Sequence, residues 1–285
     1  MSDHAQPFVL AGVMGWPVAH SRSPLIHSHW IAQYGLRGAY VPLAVQPDTL
    51  QAALRALPVL GFAGCNLTIP HKIAAIGIVD ELEPLAQRIG AANTIVVRAD
   101  CSLLGRNTDA FGFIANLREA QPQWRADAGP AVMLGAGGAA RAVLAGLLDA
   151  GTAEIRICNR TLETAQQLAH DFSGWVNARL QVVPWTERHS ALGGAALLVN
   201  TTSQGMQGQT SLDIQLDALP ATALVTDIVY TPLQTPLLQA AAARGNPTAQ
   251  GLGMLIHQAR PAFEAWFGVL PQTTPALWAA VTVNL

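Results

Sequence analysis

The chain has 285 residues, 16 basic against 18 acidic for a formal net charge of −2, with 12% charged and 51% hydrophobic residues. That length suits about two domains of about 150 residues, each able to bury a core. The near-neutral balance excludes an electrostatic grip on nucleic acid or an anionic membrane, and the apolar share excludes disorder.

From the start, MSDHAQPF has no basic segment leading into an apolar run, so no secretory signal is expected. Residues 8–15, FVLAGVMG, read as a buried strand. Ser23-Pro24 opens a helix, with Ser23 expected as the cap and Pro24 at the first helical position. Residues 39–45 form a second strand and Pro47-Asp48 opens a second helix. Residues 62–69 form a third strand ending at Pro70; 81–88 read as helix and 93–98 as strand. Strand and helix in alternation favour parallel βαβ units.

A boundary falls between Asp109 and Gly129. Residues 110–120 read as helix, followed by the polar, proline-bounded QPQWRADAGP. A new alternation begins at Ala131. AVML is a strand, 139–148 a helix, EIRIC a strand and 162–170 a helix. LQVV, ALLV and ALVTDIV are three further strands, and the tail from Gly251 is helical. The apolar stretch 130–148 carries Arg141 at its middle, which excludes a membrane span. Cysteines at 65, 101 and 158 form no C-x-x-C pair. Reduced thiols in a cytoplasmic protein are expected, with no metal site of that kind.

Gly135-Ala136-Gly137-Gly138-Ala139-Ala140 fits G-x-G-x-x-[GA] between a strand and a helix. There the glycines allow a tight turn, and backbone amides at a helix N-terminus can face a pyrophosphate. The competing reading is a glycine turn kept only for close helix–strand packing. NAD binders carry Asp or Glu about 20 residues further on, at the end of the second strand. Here that strand ends in Asn159-Arg160-Thr161, and an arginine suits a 2′-phosphate, so NADP is expected rather than NAD. Glu163 reads as a first-turn helix acid.

The first half carries four polar clusters. Ser21-Arg22-Ser23 could hold a carboxylate at a helix start, or Ser23 could simply cap. In Asn66-Leu67-Thr68-Ile69-Pro70-His71-Lys72, Asn66 and Thr68 share one strand face, and Lys72 follows the proline. Asn93-Thr94 heads a strand. Gly105-Arg106-Asn107-Thr108-Asp109 ends on a residue that could cap the next helix.

Together these blocks resemble the shikimate dehydrogenase family over essentially the whole chain. The matching blocks, in family order, are Ser21 to Pro24, Asn66 to Lys72, Ala91 to Thr94, Asn107 to Asp109, Gly135 to Gly138, Asn159 to Thr161, and Gly251 to Leu255 with Gln258. The resemblance implies an α/β fold of two domains. A parallel or mixed substrate domain would take 1–109 and 251–285, and a Rossmann-type NADP domain, 110–250, would be inserted in it. It implies NADP(H)-linked interconversion of 3-dehydroshikimate and shikimate, a step toward chorismate and the aromatic amino acids. It makes Lys72 the acid/base and Asp109 its partner on the reacting hydroxyl. Ser21, Ser23 and Tyr230 would hold the substrate carboxylate. Thr68, Asn93 and Gln258 would bind ring hydroxyls, with Asn66 shaping the site. NADP would lie on Gly135, Ala136, Gly137, Gly138, Ala139, Asn159, Arg160 and Thr161, with Ile228 and Gly251 near the nicotinamide amide.

Three departures lie beside the motifs: Arg106, where many members have an acidic or aromatic residue, Ile73 where Glu is frequent, and Gln250 where Asp is common. The alternatives are a quinate/shikimate or aminoshikimate dehydrogenase on the same scaffold, or a catalytically silent NADP-binding regulator. Presence of both Lys72 and Asp109 ranks the regulator low. Readings as a glutamyl-tRNA-reductase-like or folate-dehydrogenase-like protein share the cofactor loop but not the first-half motifs. The expected partners are small molecules, not nucleic acid or membrane; a homodimer is left open.

Overall fold

The structure, a computed structural model, describes residues 7–174 and 178–283. The chain packs as two units. One runs to Thr108 and resumes at Gln258; the other is Asp109–His257.

In the first unit the opening apolar run forms β1 (Val9–Gly15), whose last five residues are buried. The chain continues through α1 (Ser23–Gln33), β2 (Gly38–Ala44), α2 (Leu50–Ala56), β3 (Phe62–Leu67) and the single turn α3 (His71–Ala74). Then follow β4 (Glu81–Leu82), α4 (Pro84–Ile89), β5 (Thr94–Val97) and β6 (Leu103–Arg106). A strand buried on both faces belongs inside a sheet. Accordingly β1 lies between β2 and β3, parallel to both, in the order β2-β1-β3-β5-β6-β4. β5 runs antiparallel to both its neighbours, so the sheet is mixed.

Helix α1 buries Ser23, Ile26, His27, Trp30 and Ile31, the i, i+3, i+4, i+7, i+8 stripe of an amphipathic helix. Its stripe contributes to an aromatic layer in which His27 stacks on Tyr40 with ring centroids 3.9 Å apart. A second core gathers Met14, Leu50, Leu54, Leu57, Cys65, Leu67, Ile95 and Leu103.

The second unit starts with α5 (Asp109–Ala120). It continues through β7 (Ala131–Leu134), α6 (Gly138–Asp149), β8 (Glu154–Asn159), α7 (Leu162–Asp171), β9 (Arg179–Pro184), β10 (Leu197–Asn200), β11 (Leu224–Asp227), α8 (Pro236–Ala243) and β12 (Thr248–Ala249). Every pairing is parallel, in the order β12-β11-β10-β7-β8-β9. Numbered within the unit this is 3-2-1-4-5-6 from the β9 edge, the doubly wound Rossmann order, whose strand sequence reverses between β7 and β10. Its core joins Val132, Leu134, Cys158, Leu198, Val225 and Leu238. Helix α9 (Gly251–Phe267) is shared, changing units between His257 and Gln258, and α10 (Pro275–Thr282) follows it in the first unit. No helix among the described residues is long and apolar enough to cross a membrane.

Two local expectations change. Residues 81–88 are not one helix: Glu81 and Leu82 pair with Leu104 and Gly105 as β4. Pro84 forces Glu83 into extended backbone, and the helix starts only at the proline. Ser23 does not cap α1 either. Arg22 holds the cap position without a side-chain capping bond, and Ser23 is the buried first residue of the helix.

Candidate active site

In the first unit, the polar clusters meet at the ends of the strands. Thr68 N–H donates to Met14 O at 2.9 Å, seating the chain after β3 beside the end of β1. Ala92 N–H donates to Lys72 O at 2.8 Å, which ties the half-buried Lys72 turn to residues 91–94. The neighbouring His71 is buried, with its Nε2 2.8 Å from Val45 O, so the turn is anchored on both sides.

Asn66, Asn93 and Gln258 are buried and hydrogen-bonded through their side chains. Asn66 Nδ2 donates to Asn93 O at 3.2 Å and to Thr94 Oγ1 at 3.1 Å, which leaves its Oδ1 to accept from the Tyr40 hydroxyl at 2.7 Å. Asn93 Nδ2 donates to Thr108 Oγ1 at 3.0 Å and Gln258 Oε1 at 3.1 Å, while its Oδ1 accepts from Thr108 N–H at 2.8 Å. With donors and acceptor assigned at both ends of the Asn66 and Asn93 side chains, those two amides have one orientation. Ser23 hydrogen-bonds the Tyr40 hydroxyl, and burial pushes the Tyr40 phenol well above its ordinary range. Ser21 Oγ accepts the Ser23 N–H at 3.3 Å. The network therefore runs from the start of α1 through Tyr40 and Asn66 to Asn93, Thr108 and Gln258.

The sequence reading singled out Ser21, Ser23, Asn66, Thr68, Lys72, Asn93 and Gln258, and all lie in this unit. Asp109 and Tyr230 belong to the other one: Asp109 is the buried first residue of α5, and Tyr230 follows β11. Tyr40, His71, Thr94 and Thr108 were missed as contributors. Thr94 and Thr108 stand inside quoted motifs, and Tyr40 is a polar-tipped residue in an otherwise apolar strand; those were the available signals.

In the second unit, the glycine loop joins β7 to α6. Gly135 has φ +107°, and a Cβ there would stand 2.6 Å from Thr201 Oγ1, so both conformation and crowding require glycine. Gly137 and Gly138 differ: a Cβ on either would meet nothing within 4 Å. Packing does not account for them. What they leave open is the N-terminus of a 12-residue helix with no side-chain capping bond. Bare amides with the positive end of a helix dipole form an anion cradle.

β8 ends at Asn159, whose Nδ2 donates to Thr161 O at 2.8 Å and shapes the turn that carries Arg160. Arg160 is exposed and, among the described residues, has no hydrogen-bond or ion-pair partner. The nearest acid along the chain, Glu163, is exposed in the first turn of α7. Ala136 is buried and Ala139 half-buried beside the loop. This donor set suits a dinucleotide with a 2′-phosphate. After β11, Ile228 N–H donates to Asn200 O at 3.1 Å. A Cβ on Gly251 would stand 2.6 Å from Asp227 O and Ile228 O, so glycine alone lets α9 start against that turn.

Three family models match the chain: the shikimate dehydrogenase substrate binding domain over residues 13–95, shikimate / quinate 5-dehydrogenase over 119–230, and the shikimate 5'-dehydrogenase C-terminal domain over 251–280. A curated relative, shikimate dehydrogenase (NADP(+)) of Paramagnetospirillum magneticum, is 59% identical over 272 residues, covering 95% of this chain and 97% of the relative. Among solved structures, shikimate 5-dehydrogenase from Thermus thermophilus, in complex with NADP(H) and shikimate, superposes with a TM-score of 0.85 at 37% identity, over 97% of this chain and 100% of that one. Quinate dehydrogenase from Corynebacterium glutamicum, in complex with NAD, gives 0.88 at 29% identity, over 98% and 100%.

Proposed function

This chain belongs to the shikimate dehydrogenase family, and from that membership we propose that it interconverts 3-dehydroshikimate and shikimate with NADP(H). The observation that carries the cofactor half is the uncapped start of α6 under Gly137 and Gly138, with Arg160 in place of an acid after β8. The first-unit network supports the substrate half. Buried amides and hydroxyls held in fixed orientation suit a polyhydroxylated ring, which is recognised by polar groups placed in advance.

Ser21 and Ser23, at the positive end of α1, hold the substrate carboxylate, joined by Tyr230. Thr68, Asn93 and Gln258 bind ring hydroxyls, and Asn66 keeps their frame. Gly135 to Ala139 hold the pyrophosphate, Asn159 to Thr161 the 2′-phosphate end, and Ile228 and Gly251 the nicotinamide end. NADPH, when bound, supplies the hydride. Lys72 gives the carbonyl oxygen its proton as negative charge develops there, and Asp109 pairs with the same oxygen. In the reverse direction Lys72 takes that proton back. The 109–257 unit is thus the NADP domain, and the rest of the chain is the substrate domain. A cytoplasmic address fits the free thiols of Cys65, Cys101 and Cys158.

The test is direct. Purified protein given shikimate and NADP+ should produce NADPH in steady state. A folded preparation that binds NADP+ but yields no NADPH with shikimate would overturn the reading, leaving the silent regulator in its place.

A further inference from the structure

Asp227 ends β11 and is 1% exposed, yet none of the roles assigned above uses it. Its carboxylate only accepts. Oδ1 takes Asn200 Nδ2 at 2.9 Å and Val229 N–H at 3.0 Å, and Oδ2 takes the Thr235 hydroxyl at 2.8 Å. These donors come from three places: the end of β10, the turn after β11 and the cap of α8. Asn200 extends the grip, its Oδ1 accepting from Thr202 N–H at 3.0 Å and Thr202 Oγ1 at 2.7 Å. A second tie, Gln207 N–H to Thr231 O at 2.8 Å, joins the same two loops. One buried carboxylate therefore fixes the loops that leave β10 and β11.

Sheet order says what those loops are for. The glycine cradle stands at the end of β7, with β8 on one side and β10 then β11 on the other. If the 2′-phosphate arm extends toward Arg160 at the end of β8, the opposite arm of the dinucleotide must extend over the ends of β10 and β11. That is the topological switch point, where doubly wound sheets bind ligands.

We propose that Asp227 is a positioning residue for the nicotinamide arm of the cofactor: it fixes the turn of Ile228, Val229 and Tyr230 against the loop after Asn200, while the adenosine arm rests on elements it does not touch. This rests on the NADP reading above. Replacing Asp227 strands three buried donors locally, whereas Thr201, the residue of that loop packed on Gly135, keeps its own bonds to Leu134 O from its N–H at 2.8 Å and its Oγ1 at 2.7 Å, so the glycine cradle and Arg160 stay in place.

The experiment compares two probes by calorimetry: NADP+, which spans both arms, and 2′,5′-ADP, which carries only the adenosine arm. Asp227→Ala should weaken NADP+ about tenfold or more and leave 2′,5′-ADP within about twofold of wild type. Asp227→Asn should lie close to wild type for both, because its oxygen can still accept from Asn200 and Val229 while its amide donates to the Thr235 hydroxyl. Thr235→Val serves if the alanine variant does not fold. It removes one of the three donors at similar side-chain volume, and should weaken NADP+ about threefold with 2′,5′-ADP unmoved. Parallel weakening of both probes, or no change in NADP+ affinity, would overturn the proposal. Wild-type protein that binds neither probe would overturn the NADP reading itself.

Discussion

Asn93 Nδ2 donates to Gln258 Oε1 at 3.1 Å, joining two residues 165 positions apart in the chain. The bond attaches α9 to the strand-end motifs, and the same Asn93 side chain also takes the Thr108 N–H at 2.8 Å. Asn93 is thus the hub of the buried network. Asn93→Ala would leave Thr108 N–H and the Gln258 amide without this partner, at about 1–3 kcal/mol for each buried group left unsatisfied. Urea unfolding should show a clear loss of stability, and calorimetry weaker shikimate binding in the folded fraction. An unchanged midpoint would mean that the network contributes little.

Arg160 offers a charge-assisted contact to a 2′-phosphate. Arg160→Ala should weaken NADP+ by about 1.5–3 kcal/mol and NAD+ much less. Titration of both cofactors against one protein preparation checks this. Equal losses would return Arg160 to an ordinary surface arginine.

On the proposed roles, Lys72→Ala removes the proton donor while Ser21 and Ser23 would still hold the carboxylate and Asn93 and Gln258 the ring hydroxyls. Turnover should fall about a hundredfold or more, the scale of general acid/base catalysis, with a much smaller change in shikimate affinity. Asp109→Asn keeps size and removes charge, and should also reduce turnover. Near-normal turnover in Lys72→Ala would remove lysine from the chemistry.

Acid stability has a specific origin in His27. Burial lowers its pKa from 6.5 to about 3, so the folded ring stays neutral while the unfolded ring titrates near 6.5. Below 6.5 the unfolded state binds a proton that the folded state does not. Stability is therefore fully present above 6.5 and is lost as pH falls toward 3, by roughly 1.4 kcal/mol per pH unit. His27→Gln, neutral throughout, should be less stable at neutral pH but show a flatter slope of unfolding free energy between pH 6.5 and 4. An unaltered slope would place that titration elsewhere.

How far these arguments were legible in the residues varies with how local the cause is. The strand–glycine–helix unit at 131–149 could be read directly, because turn chemistry and helix polarity act within a few residues. The βαβ alternation of the second unit was equally plain. β4 and β6 were hidden: Glu81-Leu82 and Leu103–Arg106 are short, and they become strands only by pairing with each other and with β5. β12 is two residues long, and α8, PLLQAAAA, is apolar but for Gln239, so its period is blurred. Ser23 shows a limit of another kind. A serine before a proline reads as a cap, but here its hydroxyl turns inward to Tyr40, a partner 17 residues away that spacing alone cannot reveal.

The central claim is that this site pairs shikimate with NADP, and kcat/KM for shikimate and quinate, each with NADP+ and NAD+, tests it most directly. Shikimate with NADP+ should exceed the other three pairs by about tenfold or more if, as proposed, Arg160 selects the cofactor and the buried amide network selects the ring hydroxyls. A maximum at quinate with NAD+, or turnover with none of the four pairs by protein that binds NADP+, would contradict it.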